Sequence, residues 1–138
     1  MLRIRETRHD DFAAIRDLLL AENLGGEWFT QERFDRMLKK NRELFIVAEK
    51  ECEVVGTIFA SYDGGYFGYL YKIAVAPQHR RQGIGSMLVE RTLEKFNLLG
   101  IEWHFANVHT NNDASLRLLA KFGLTTNTAY PMVDNDPR

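Results

Sequence analysis

The chain has 138 residues, the size of one domain, and is long enough to bury a core without metal or disulfide support. Its 18 Lys and Arg nearly balance 19 Asp and Glu, which argues against a general nucleic-acid binder or an anionic-membrane binder, since either usually carries a basic excess. A single cysteine, Cys52, rules out an intrachain disulfide and points to a reducing, cytoplasmic setting, and no apolar run approaches the roughly 18 residues of a membrane helix.

Leu2-Arg3-Ile4-Arg5 alternates apolar and charged residues and predicts a short strand. Asp10 and Asp11 supply an acidic first turn, and Phe12, Ile15, Leu18 and Leu19 follow at helical spacing, so a helix is expected over 10–22. Asn23-Leu24-Gly25-Gly26 breaks it. Thr30 is a fitting N-cap for a second helix running to about Lys40, with Phe29 and Phe34 placed to close a hydrophobic staple. Leu44 to Ala48, Val54 to Ser61 and Tyr66 to Val75 read as three strands of a meander, the last two joined by a turn at Asp63-Gly64-Gly65. Pro77 ends the third. A helix is expected from Gly83 to about Leu99, then a strand from Trp103 to Val108 and a short helix from Ala114 to Phe122 with Gly123 beyond its end. A last strand is expected within Thr125 to Val133. The order β-α-α-β-β-β-α-β-α-β predicts a single α/β domain over residues 1–138, an α+β mixed sheet covered by helices rather than a strictly alternating βαβ chain.

The chemically informative stretch is Ile73-Ala74-Val75-Ala76-Pro77-Gln78-His79-Arg80-Arg81-Gln82-Gly83-Ile84-Gly85-Ser86. A buried strand ends at proline, a basic loop follows, and two glycines open an amphipathic helix. The N-terminus of a helix leaves amide groups unpaired and carries positive partial charge, so phosphate is its natural occupant. Gly83 and Gly85 remove the Cβ atoms that would hold a phosphate away, and Arg80 and Arg81 add full charge at the mouth. The segment is not a Walker loop, and Leu88 stands where a dinucleotide fingerprint would need its third glycine.

With Arg80-Arg81-Gln82-Gly83-Ile84-Gly85 and an Asn-led helix, Asn112-Asp113-Ala114-Ser115-Leu116-Arg117-Leu118-Leu119-Ala120-Lys121-Phe122-Gly123-Leu124, the chain resembles the GCN5-related N-acetyltransferases, the GNAT family. The element order is similar across nearly the whole chain. The resemblance implies the GNAT fold and acetyl-CoA as cosubstrate. It further implies that the main chain of Ile73, Ala74 and Val75 runs beside the pantetheine and that Arg81, Gln82, Gly83, Ile84, Gly85 and Ser86 hold the diphosphate, with Arg80 beside them. Val75 N–H would polarise the thioester carbonyl, and Asn112 would meet the cofactor near its sulfur. The implied reaction is transfer of acetyl to a primary amine by direct attack. Such a reaction needs no covalent enzyme intermediate, and no Ser-His-Asp or Cys-His arrangement is recognisable in the sequence.

The family commonly places a tyrosine general acid seven residues after the asparagine, where this chain has Leu119. Its glutamate base falls at the position of Tyr69 or Asn107. Substitutes for the missing acid and base are Tyr69 and Tyr71, expected to share a face with Ile73 and Val75, together with Asn107, His109 and Tyr130. The four histidines and Cys52 show no metal-ligand spacing. The partners expected are acetyl-CoA and an amine-bearing small molecule or peptide, without nucleic acid or membrane, and a second subunit is expected to close the acceptor side as a homodimer. The rival reading is a non-catalytic acyl-CoA-binding or sensor domain of the same fold.

Overall fold

The computed structural model describes residues 1–106 and 113–124. The chain begins with β1 (Leu2–Glu6), a 3-10 turn over His9–Asp11, α1 (Phe12–Ala21) and α2 (Gln31–Lys40). After a second 3-10 turn at Arg42–Leu44 come β2 (Phe45–Lys50), β3 (Glu53–Tyr62) and β4 (Phe67–Val75). A third 3-10 turn, Pro77–His79, leads to α3 (Ile84–Leu98), β5 (Trp103–Ala106) and α4 (Asp113–Ala120). The strands lie in the order β1-β2-β3-β4-β5, antiparallel until the parallel β4–β5 pair. The mixed sheet covered by helices is thus the expected architecture; the strand expected within 125–133 falls outside the described residues. Among the described residues no helix is long and apolar enough to cross a membrane.

Two cores sandwich the sheet. On one face Ile46, Ile58 and Leu70 meet Leu88, Val89 and Phe96 of α3 and Leu119 of α4. On the other, Phe45, Val47 and Phe59 meet Ile15 and Leu19 of α1 and Phe34 and Leu38 of α2. The staple forms as expected: Thr30 Oγ1 accepts from the Arg33 amide, and the Phe29 and Phe34 rings lie edge to face 5.7 Å apart. Several boundaries differ from the sequence reading. Asp10 and Asp11 form a 3-10 turn before α1 rather than its first turn. Leu44 belongs to a turn, its amide bonded to the Asn41 carbonyl at 2.8 Å. Tyr66 stays in the hairpin, where Asp63 Oδ1 accepts from the amides of Gly65, Tyr66 and Phe67. Those three bonds hold the Asp63 carboxyl below its usual range.

The most consequential correction concerns β4. A bulge interrupts its ladder with β3: Phe59 faces Lys72, but the next residue, Ala60, faces Leu70, so Tyr71 is the extra residue. Alternation therefore fails across it. Ile73 and Val75 point to the α3 side, whereas Tyr71 packs on the α1–α2 side against Phe45 and Phe59, its ring 6.4 and 6.1 Å from theirs. Tyr71 does not share a face with Ile73 and Val75, because one inserted residue reverses the parity of the strand.

At the start of the chain, Arg5 donates to both oxygens of Asp11 at 2.8 and 3.0 Å, and Asp11 also accepts from the Arg8 amide at 2.7 Å. Burial raises the Asp11 carboxyl, but the Arg5 and Arg8 hydrogen bonds outweigh it and hold the group below its ordinary value. A depressed carboxylate contributes stability that is present above the unfolded pKa, about 3.9, and lost as pH falls through the folded value. Asp11→Asn is expected to destabilise the domain by on the order of 2 kcal/mol at pH 7, with the gap closing below pH 4. Denaturant titration at several pH values checks this; a gap that does not change with pH contradicts it. A second test concerns Gly68 of β4, where a Cβ would lie 2.8 Å from the Phe96 ring. Gly68→Ala is expected to lower stability by about 1–3 kcal/mol, and an unchanged midpoint would show that the ring yields freely.

Candidate functional site

The site is built where β4 stops. Ala76 N–H still donates to Val55 O of β3 at 2.8 Å. Successive residues of a strand turn their N–H and C=O groups to opposite edges, so those of Ala74, opposite Thr57, also face β3. Ile73 and Val75 therefore direct theirs to the other edge of β4. On that edge the described pairing with β5 ends at Leu70 opposite Ala106. The Val75 amide is thus aimed at an edge where no described strand pairs with it. Of the three strand residues expected to run along a ligand, Ile73 and Val75 offer main-chain groups there, while Ala74 is engaged with β3.

Beyond Val75 the backbone is bent back in steps. Pro77 opens a 3-10 turn in which His79 N–H donates to Ala76 O at 2.9 Å. Arg81 has φ 64° and Gly83 φ 79°, both in the left-handed region. Glycine takes that conformation freely and arginine does not. Gly83 is the N-cap of α3 and, lacking a side chain, gives the first turn no capping acceptor. The first α-helical bond there runs from Met87 N–H to Gly83 O at 3.0 Å. The preceding amides of Ile84, Gly85 and Ser86 thus have no intrahelical acceptor, at the positive end of a 15-residue helix. A Cβ on Gly83 would meet nothing within 4 Å, so the space over this turn is open. Gly85 is different: a Cβ there would lie 3.1 Å from Leu118 Cδ2, so this glycine also lets α4 pack close to α3.

These elements enclose a cavity of about 540 Å³. Strand β4 contributes Ile73, Ala74 and Val75, and the loop with the start of α3 contributes His79, Arg80, Arg81, Gly83, Ile84, Gly85 and Ser86. The facing wall is α4, with Ala114, Arg117 and Leu118 at positions i, i+3 and i+4, Ser115 beside them and Lys121 in the turn just after the helix. Glu22, at the end of α1, completes the rim and forms an ion pair with Arg80. Neither Glu22 nor the α4 residues were singled out from sequence. The α4 spacing would have shown that face; nothing in the sequence marks Glu22. His79 is half-buried, and its Nδ1 is buried without a hydrogen-bond partner among the described residues.

Nine of the residues expected at a ligand site meet in this one cavity. Gln82 does not line it, and its side chain is turned towards Lys50. Tyr69 and Tyr71 do not line it either. Tyr69 is exposed and stacks on Phe105 at 5.9 Å, while burial pushes the Tyr71 hydroxyl up to about 12. Leu119, at the position of the missing tyrosine, is buried in the α3-side core, and its neighbour Leu118 faces the cavity instead. Asn107, His109, Asn112 and Tyr130 lie outside the described residues.

Comparison with known proteins finds acetyltransferases. The chain is 35% identical over 121 residues to an acetyltransferase of Sodalis glossinidius, covering 87% of this chain and 84% of that one. Its fold matches the crystal structure of Ard1 from Thermoplasma volcanium with a TM-score of 0.81 and 25% identity, covering 88% of this chain and 81% of the other. It also matches yncA of Salmonella typhimurium, solved with its cofactor acetyl-CoA, with a TM-score of 0.76 and 23% identity over 90% and 79% of the two chains. The sequence profile of the acetyltransferase (GNAT) family matches residues 5–124, a span running from β1 through the end of α4 and containing the whole cavity, so the chain belongs to that family.

Proposed function

We propose that this domain moves an acetyl group from acetyl-CoA to a primary amine by direct attack of the amine on the thioester. The observation that carries the reading is the uncapped first turn of α3, whose free amides open on the cavity between β4 and α4. A diphosphate fits such a terminus by charge and by hydrogen-bond geometry. The same cavity leads to the open edge of β4, where Ile73 and Val75 can pair with an amide-bearing chain such as pantetheine. Cosubstrate and site are therefore matched at both ends.

Within this reading Val75 N–H donates to the thioester oxygen as it gains charge in the tetrahedral transition state. One such donor in a water-poor site contributes about 10²- to 10³-fold in rate. The free amine attacks the carbonyl carbon, the C–S bond breaks, and the thiolate leaves with the electron pair. Holding amine and thioester in register supplies a further large factor. The proton donor to the thiolate is not Tyr71. It packs against Phe45 and Phe59 away from the cavity, and burial pushes its hydroxyl up to about 12, a poorer donor than an ordinary tyrosine. A thiolate of this basicity leaves without a donor, so the lack of a tyrosine at Leu119 slows the reaction rather than abolishing it. Asn107, His109 and Tyr130 stay as the proposed substitutes for the missing acid and base, with Asn112 at the cofactor.

Incubation with labelled acetyl-CoA and a panel of amines, amino acids, polyamines and peptides is expected to release free CoA thiol and yield one labelled amide. Tight CoA binding with no thiol release across the panel would favour the sensor reading instead. In the loop, Gly83→Val is expected to weaken CoA binding at least tenfold, because its Cβ occupies the open space over the amides and left-handed backbone disfavours a branched residue. Calorimetry on folded variant protein measures this. Wild-type affinity in Gly83→Val would remove the loop from the binding site.

A further inference from the structure

The face of the sheet opposite the cavity carries a floor of aromatic rings. In the parallel pairing Phe67 stands opposite Trp103, and Tyr69 stands opposite Phe105. Strand alternation puts both pairs on the α1–α2 side, because their neighbours belong to the other face: Leu70 lies in the α3-side core, and His104 stacks on Phe96 at 5.3 Å. The Phe105 ring lies 5.6 Å from Phe67, 5.9 Å from Tyr69 and 6.4 Å from Trp103. Tyr66 adds a further ring 6.3 Å from Trp103. The core beneath α1 and α2 takes in Phe45, Phe59 and Tyr71 but none of these rings. Tyr69, Phe105 and Trp103 stay 42%, 44% and 54% exposed. Single exposed aromatics are ordinary, whereas a contiguous patch of them marks a binding surface.

The patch adjoins the reacting edge. Tyr69 and Phe105 are the last pair on this face before the described pairing of β4 with β5 ends at Leu70 and Ala106. Beyond that point the open edge of β4 runs on to Val75, where the thioester lies in the reading above. CoA fills the α3–α4 side of that edge, which leaves the floor's side for the amine. We propose that Phe67, Tyr69, Trp103 and Phe105 bind the acceptor, and that the acceptor is an extended amine bearing an aromatic or large apolar group rather than a compact polar one. The inference rests on the acetyl-transfer reading and names its substrate class. Neither pair contributes a charged side chain, so the floor binds by ring stacking and apolar burial. Val75 lies about 17 Å along β4 from Tyr69, at roughly 3.3 Å per residue with the bulged Tyr71 discounted. A nitrogen at the thioester and a group on the floor are therefore on the order of 10–17 Å apart, the reach of about three to five residues of extended chain.

The test is steady-state kinetics on the full chain with acetyl-CoA and two tetrapeptide amides, one with phenylalanine and one with serine at the fourth position. Wild-type protein is expected to show kcat/KM at least about tenfold higher for the phenylalanine peptide, the scale of burying one aromatic side chain. Trp103→Thr and Phe105→Thr place a residue suited to strands at exposed positions. Each is expected to cut the ratio between the peptides several-fold while CoA affinity, read by calorimetry, stays at the wild-type value. Tyr69→Phe keeps the ring and is expected to keep the ratio. Equal kcat/KM for the two peptides in wild-type protein would overturn the inference and leave acetyl transfer standing. CoA binding without turnover of any amine would overturn both. A ratio that survives both threonine variants would place the apolar group elsewhere and overturn the inference. A dimer that dissociates in Trp103→Thr would put a second copy on the floor, with the same consequence.

Discussion

The structure turns on an uncapped helix end. At Gly83 the chain leaves a left-handed turn and enters α3 with no side chain to satisfy the amides of Ile84, Gly85 and Ser86. Ordinary surface helices fill that position with serine, threonine or aspartate, as α2 does with Thr30. Forgoing a cap leaves donors that water or an anion must meet. The surroundings favour an anion: the helix dipole, the arginines of the loop, Arg117 of α4 and Lys121 just after it all act in the same direction.

Position follows from packing. Phe96, Leu88 and Val89 fasten α3 to the face of the sheet that carries Ile58 and Leu70, and Leu119 fastens α4 beside it. The close approach of Leu118 to Gly85 sets the width of the cavity between these two helices. On the other face, α1 and α2 hold β4 through Phe45, Phe59 and Tyr71, so the strand is clamped from both sides as it reaches the loop. The bulge at Tyr71 divides β4 by role. Its first part pairs with β5, and its last part, from Ile73 to Val75, keeps an edge clear of described strands. The main-chain donor at Val75 and the phosphate donors of α3 are thereby held by one continuous piece of backbone.

The order of elements was legible because hydrophobic period and turn chemistry agreed at almost every step. Phe29 and Phe34 around Thr30, Asp63-Gly64-Gly65, and Val89, Leu93 and Phe96 each belong where their spacing placed them. The phosphate loop was legible because proline, arginine and glycine carry backbone consequences that can be read locally. The faces of β4 were not, since a one-residue bulge leaves no mark in an aromatic and aliphatic run, and it moved Tyr71 away from Ile73 and Val75. The Glu22–Arg80 pair joins residues 58 positions apart and depends on how α1 ends against the loop, which no local pattern encodes. The α4 wall was partly legible: the glycine after the helix was read, but the face bearing Arg117 gains meaning only once α4 is seen opposite α3.

The central claim is that backbone nitrogens at the start of α3 grip the diphosphate. Amide NMR of ¹⁵N-labelled protein titrated with CoA observes those nitrogens one by one. The account predicts that the largest shifts fall on Gly83, Ile84, Gly85 and Ser86, with that of Val75 close behind. Saturable CoA binding that leaves those five amides unmoved would contradict it.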